Sequence, residues 1–151
     1  GKRPIVALTA YDAVMGRLVN ESGVDLILVG DSVGTTLLGH RTTIPVDLID
    51  MVRHTAAVRR AQPNCLLVAD LPFGEASFSF DRLLESARRL MQEGGADAVK
   101  IFASRSIREA GVPTLDQAQL DAACDEARQH GVRSVVHAHA AEAVSRAARG
   151  R

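Results

Sequence analysis

Five short apolar runs rich in β-branched residues, each followed by a longer helical pattern, leave few folds open to this 151-residue chain. The runs are residues 5–9, 26–30, 65–70, 98–102 and 134–138. They lack the in/out alternation of a half-exposed sheet, so both faces are expected to be buried, as in a parallel sheet covered by helices. The stretches between them carry readable helix ends. Residues 13–22 stop at Gly23, residues 46–61 follow Pro45, and residues 80–93 run into Gly94-Gly95. Residues 115–130 open on a Thr114-x-x-Gln117 capping box and close at Gly131, and a last helix covers residues 141–149. The expected fold class is therefore α/β: five βα units with a parallel sheet in a single domain, residues 1–151.

A closed eight-unit barrel usually takes about 250 residues. Five units are expected to form a TIM-barrel-derived partial barrel or a flavodoxin-like doubly wound sheet. Open strand edges favour pairing between copies, so a homo-oligomer, and specifically a homodimer, is expected.

Composition narrows the partners. Eighteen basic and 18 acidic side chains cancel, with no run of one sign, which excludes a basic surface for nucleic acid or an anionic membrane. No apolar stretch approaches the roughly 18–20 residues of a membrane span. The start, Gly1-Lys2-Arg3-Pro4, leads into no signal-peptide core, and a first residue other than Met reads as a processed or excised end. Cys65 and Cys124 read as free thiols, which places the chain in a reducing, cytoplasmic compartment.

Ligands in parallel α/β folds sit beyond the C-terminal ends of the strands. The polar residues there are Thr9, Tyr11 and Asp12; Asp31 and Ser32; Asp70; Lys100; and His137 with His139. Two aspartates at neighbouring strand ends suit Mg²⁺, which takes one or two carboxylates and leaves positions for water and substrate. Helix or loop capping is the alternative use of the same residues. Burying an unpaired ammonium is costly, so Lys100 is expected to reach a carboxylate, a substrate anion or the barrel mouth, with a Lys100–Asp70 ion pair without catalysis as the alternative. Gly30-Asp31-Ser32-Val33-Gly34 lacks the Gly-Lys-Ser/Thr ending of a nucleotide loop. His40, His54 and His130 read as solvated surface residues.

The stretches "LTAYDAVMGRLVNESGVDLILVGDSVG", "RTTIPVDLIDMVRHTAAVRR" and "PNCLLVADLPFG" closely resemble the ketopantoate hydroxymethyltransferases, TIM-barrel enzymes, over about residues 4–100. The resemblance implies transfer of a hydroxymethyl group from 5,10-methylenetetrahydrofolate to 3-methyl-2-oxobutanoate, a small 2-oxo acid. It implies that Asp31 and Asp70 hold Mg²⁺, that Ser32 contacts the acid, and that Lys100 pairs with the acid's carboxylate. The family continues after its lysine with Leu-Glu-Gly-Gly, whereas this chain has Ile101-Phe102-Ala103-Ser104. The family's general-base glutamate belongs to a later strand than the resemblance reaches. No catalytic residue is therefore assigned, and Mg²⁺-dependent acid binding with little or no hydroxymethyl transfer is expected.

From residue 95 onward, "GADAVKIFASRS" and "VHAHAAEA" resemble strands four and five of metal-dependent amidohydrolases related to prolidase and imidazolonepropionase. That likeness implies Lys100 and His137 as metal ligands, with Zn²⁺ as the ion, in a hydrolase. Together the two likenesses imply a chimera, recombined or engineered, of a transferase-like segment (residues 1–97) and an amidohydrolase-like segment (residues 98–151). A folded chimera without activity is the remaining alternative.

Overall fold

The structure is a computed structural model that describes residues 3–75, 80–104, 112–129, 131 and 133–149. Its elements are β1 (Ala7–Thr9), α1 (Ala13–Glu21), β2 (Leu26–Val29), α2 (Val33–Thr36), α3 (Leu48–Arg59), β3 (Leu66–Asp70), α4 (Phe80–Gln92), β4 (Ala98–Phe102), α5 (Gln117–Gln129), β5 (Arg133–His137) and α6 (Ala141–Arg149). The strands follow the order β1-β2-β3-β4-β5, with β1 parallel to β2 and β2 parallel to β3. The flavodoxin-like alternative is thereby corrected. A doubly wound sheet places its first strand between the second and third, whereas each strand here lies beside the one before it, as in a barrel. Contacts within the chain divide it into two compact units, residues 1–99 and 100–151, with the division inside β4.

In the first unit, β2 supplies Ile27 and Val29 and β3 supplies Leu67, Val68 and Ala69 to a core that also holds Met51 and Val58 of α3 and Leu90 of α4, all essentially without solvent exposure. Each such large side chain contributes roughly 1.5–3 kcal/mol by leaving water. β1 departs from the expectation of burial on both faces: Ala7, Leu8 and Thr9 are all exposed. The reason is position, because β1 ends the sheet and has a neighbour on one side only. Asp12 caps α1 through the Met15 amide at 2.8 Å, and the helix stops before Gly23, whose φ of 77° is left-handed backbone that glycine tolerates. α3 starts two residues later than its sequence pattern predicts, because Asp47 rather than Pro45 ends the extended backbone. Asp47 and Asp50 cap one another's amides at 2.8 and 3.4 Å. At its far end Arg59 meets Asp97 at 2.8 Å and the Gly95 carbonyl at 2.6 Å.

In the second unit, Ala103 N donates to the His137 carbonyl at 2.9 Å, and Arg146 reaches from α6 to the Leu115 carbonyl at 2.8 Å. The cap of α5 is shifted from the predicted Thr114/Gln117 box. Asp116 and Gln119 satisfy one another's amides at 2.8 and 2.9 Å, while Thr114 is engaged with the carbonyls of Phe102 and Ala103. Asp is as good a cap as Thr, and Thr114 is already committed to the end of β4. Both cysteines are free and half-buried, and no helix among the described residues is long and apolar enough to cross a membrane.

Candidate metal and acid site at the ends of β2 and β3

β2 ends at Val29, and the chain turns through Gly30, Asp31 and Ser32 into α2. The turn is held by its own backbone: Val33 N donates to the Gly30 carbonyl at 3.1 Å and Gly34 N to that of Asp31 at 3.0 Å. β3 ends on Asp70, which is only 2 % exposed. Its Oδ2 accepts the Asp31 amide at 3.3 Å, so the two strand-end aspartates are neighbours through a contact as well as through strand order. Glycine at residue 30 makes this approach possible. A Cβ there would lie 3.1 Å from Ser32 Oγ and 3.3 Å from Asp70 Oδ2, tighter than a comfortable contact on two sides.

Tyr11, just past β1, completes the group. It is 6 % exposed, and its hydroxyl lies 2.7 Å from Ser32 Oγ. The Tyr11 carbonyl accepts a hydrogen bond from His54 Nδ1 at 2.7 Å, which fixes the proton on that ring nitrogen. His54 is thus corrected from a solvated surface residue to a half-buried donor supporting the site. His40 is exposed as expected, and His130 lies outside the described residues.

The donor set can be matched to a cation. Two carboxylates at adjacent strand ends, open to further oxygen ligands, fit Mg²⁺, which keeps several waters and uses few protein ligands. Among the described residues no three His, Cys, Asp or Glu side chains come together as a metal-binding group. Hydrolytic zinc usually takes three protein ligands, and the His, Cys, Asp and Glu side chains of the described residues form no such group. His137 and His139 do lie side by side as their spacing predicts, but their Nε2 atoms face each other at 2.7 Å in a hydrogen bond. Within the second unit Lys100 is half-buried, with its ammonium 4.3 Å from the centre of the Phe102 ring, and that ring packs 5.2 Å from His137.

Asp31, Asp70 and Ser32 are legible from the sequence as polar residues at strand ends. The Tyr11–Ser32 bond and the His54 support are not, because residues 21 and 43 positions apart carry no local signal of contact.

Comparison with known proteins agrees with the geometry. The pattern of the ketopantoate hydroxymethyltransferase family matches residues 1–121. The 3-methyl-2-oxobutanoate hydroxymethyltransferase of Geobacillus sp. (strain WCH70) is 47% identical over 119 residues, 74% of this chain and 43% of that protein. The enzyme of the same name from Thermus thermophilus is 49% identical over 118 residues, 74% of this chain and 45% of that protein. The chain therefore spans less than half the length of these relatives. Among solved structures, 2,3-dimethylmalate lyase, a PEP mutase/isocitrate lyase superfamily member, superposes with a TM-score of 0.67 at 18% identity, over 94% of this chain and 52% of that one. Phosphonopyruvate hydrolase in complex with oxalate and Mg²⁺ gives 0.67 at 14% identity, over 89% of this chain and 47% of that one. The phosphoenolpyruvate phosphomutase of Streptomyces platensis subsp. rosaceus gives 0.66 at 18% identity, over 96% of this chain and 55% of that one.

These similarities support the transferase-like part of the sequence reading and give no support to the amidohydrolase-like part. The family match spans residues 1–121, a range that includes residues 97–98, Lys100 and Phe102. The strand with Lys100 thus lies in the same family stretch as Asp31 and Asp70, and no comparison matches an amidohydrolase over residues 98–121. The chain belongs to the ketopantoate hydroxymethyltransferase family.

Proposed function

We propose that this chain binds a divalent metal and a small 2-oxo acid at the ends of β2 and β3, as the acid-binding part of a ketopantoate hydroxymethyltransferase. The observation that carries the reading is the contact between the Asp31 backbone amide and the buried Asp70 carboxylate, which brings the residue at the end of β2 against the one at the end of β3. In this reading Asp31 and Asp70 hold Mg²⁺, and Ser32 donates to an oxygen of 3-methyl-2-oxobutanoate. Mg²⁺, when bound, supplies a positive charge that stabilises negative charge developing on the acid's oxygens.

The protein's own residues bind and orient. Asp70, held by the Asp31 amide, fixes the metal-facing carboxylate. Ser32, held by Tyr11, presents a hydroxyl to the acid. Hydroxymethyl transfer from 5,10-methylenetetrahydrofolate also needs a base to remove the C3 proton, a step worth about 10²–10⁴-fold in rate. No residue is assigned to that role, so the proposed activity is binding, with little turnover. Self-association as a homodimer accompanies this reading, favoured by the exposed edge strand β1.

The metal assignment is tested with Mn²⁺ as a paramagnetic substitute for Mg²⁺. Titration followed by electron paramagnetic resonance should show one bound ion per chain, lost in Asp31→Asn and in Asp70→Asn. Equal Mn²⁺ binding by both variants would remove these residues as ligands.

A further inference from the structure

We infer that Tyr11 is a positioning residue for Ser32: its phenol donates to Ser32 Oγ and so leaves the serine proton to be given to an acceptor oxygen of the bound acid. The inference rests on the reading of Ser32 as the acid contact and adds the residue that sets its direction.

Three observations carry it. First, Ser32 stands at the start of α2, where a serine side chain ordinarily caps the helix by accepting from a first-turn amide. It makes no such bond here. The amides of Val33, Gly34 and Thr35 are already taken by the carbonyls of Gly30, Asp31 and Ser32, at 3.1, 3.0 and 3.1 Å. The Ser32 hydroxyl is thus released from the backbone, and it lies 2.7 Å from the Tyr11 hydroxyl.

Second, Tyr11 is anchored from two sides. The preceding residue, Ala10, donates its amide to the Leu28 carbonyl of β2 at 3.2 Å, and the Tyr11 carbonyl receives the His54 Nδ1 proton at 2.7 Å. The side chain is 6 % exposed, so the phenol has little freedom to turn elsewhere.

Third, the proton count has one solution that leaves a donor for the acid. Each hydroxyl has a single proton, and the phenol is the more acidic of the two. When the phenol donates to Ser32 Oγ, the serine proton is free to point outward. In the reverse arrangement the serine proton would be spent on Tyr11, and an incoming carboxylate or keto oxygen would meet only lone pairs.

The competing explanation is structural: Ser32 is present merely to satisfy a buried phenol. The two differ in what Tyr11→Phe does. In a structural role, removing the phenol lowers stability and leaves ligand affinity unchanged. In a positioning role, Tyr11→Phe also weakens binding of 3-methyl-2-oxobutanoate in the presence of Mg²⁺ by about five- to tenfold, the scale of one neutral hydrogen bond. Ser32→Ala should lose as much or more, and the double variant should lose no more than Ser32→Ala alone, the non-additivity of two residues acting as one. Unchanged affinity in Tyr11→Phe, or additive losses, would overturn the inference.

A ligand-free readout separates this inference from the function it rests on. Tyr11 is the chain's single tyrosine, so the tyrosine doublet in the Raman spectrum reports on it alone. The wild type should show the pattern of a donating phenol, moving toward the solvated pattern in Ser32→Ala. A wild type that binds no acid would sink the proposed function, and the Raman result would then decide the donor arrangement by itself. A doublet indifferent to Ser32→Ala, or one of accepting type in the wild type, would overturn the inference on either outcome.

Discussion

A methyl group at residue 30 would begin 3.1 Å from Ser32 Oγ and 3.3 Å from Asp70 Oδ2, so one missing side chain lets the two halves of the site approach. Gly30→Ala should therefore weaken Mg²⁺-dependent acid binding more than it lowers stability, because the atoms it displaces belong to the site rather than the core. Titration calorimetry and a thermal melt on the same sample check this; an unchanged affinity would show that the approach is not needed. Cys65 offers a second test at this scale. Burial pushes its thiol above the ordinary cysteine value, so less of it is thiolate near pH 8. It should be alkylated more slowly than a free cysteine peptide, with the difference vanishing in denaturant. Asp31, Ser32 and Asp70 can be picked out because strand ends are where parallel folds place their chemistry. His54 is missed by the same reasoning, because a lone histidine in a helix gives no hint that a distant carbonyl, that of Tyr11, will come within 2.7 Å.

The elements are legible in kind, and their boundaries shift wherever a cap decides them. Periodicity locates α5, yet its start is set by Asp116 and Gln119 and not by Thr114 and Gln117. Any of these residues can cap, and the choice follows from Thr114 being bound to the Phe102 and Ala103 carbonyls. Asp116→Ala should cost about 0.5–2 kcal/mol of stability, seen as a lower denaturation midpoint with unchanged slope. Gln117→Ala should leave the first turn of α5 intact by amide hydrogen exchange, and loss of that turn would restore the Thr114/Gln117 box. In α4 the Arg89 side chain holds the exposed Glu93 carboxyl below its usual range. Any stability from this pair is present above the ordinary glutamate value and is lost as pH falls through the lowered one, and salt should weaken it.

At the scale of the whole molecule, strand order and family membership answer different questions. The consecutive order β1-β2-β3 is not encoded in any local pattern, since the same apolar strands would serve a doubly wound sheet. The amidohydrolase likeness rests on a lysine strand and a His-x-His strand end, both short features, and the family match includes the first of them, at Lys100. In the first unit Ile5 is 79 % exposed and Leu18 62 %, while Gly16, on the opposite side of α1, packs against Val58 and Ala61. An exposed edge strand and exposed apolar side chains on α1, Val14 and Leu18, are features that favour self-association. Sedimentation should give the mass of a homodimer that Leu18→Glu shifts toward monomer; a wild type monomeric at every concentration would contradict this. Whether the aspartates at the ends of β2 and β3 bind metal and acid together is decided most directly by calorimetric titration of 3-methyl-2-oxobutanoate into the wild-type chain with and without Mg²⁺. Binding of one acid per chain that requires the metal is expected, and the same heat in both titrations would contradict the proposed function.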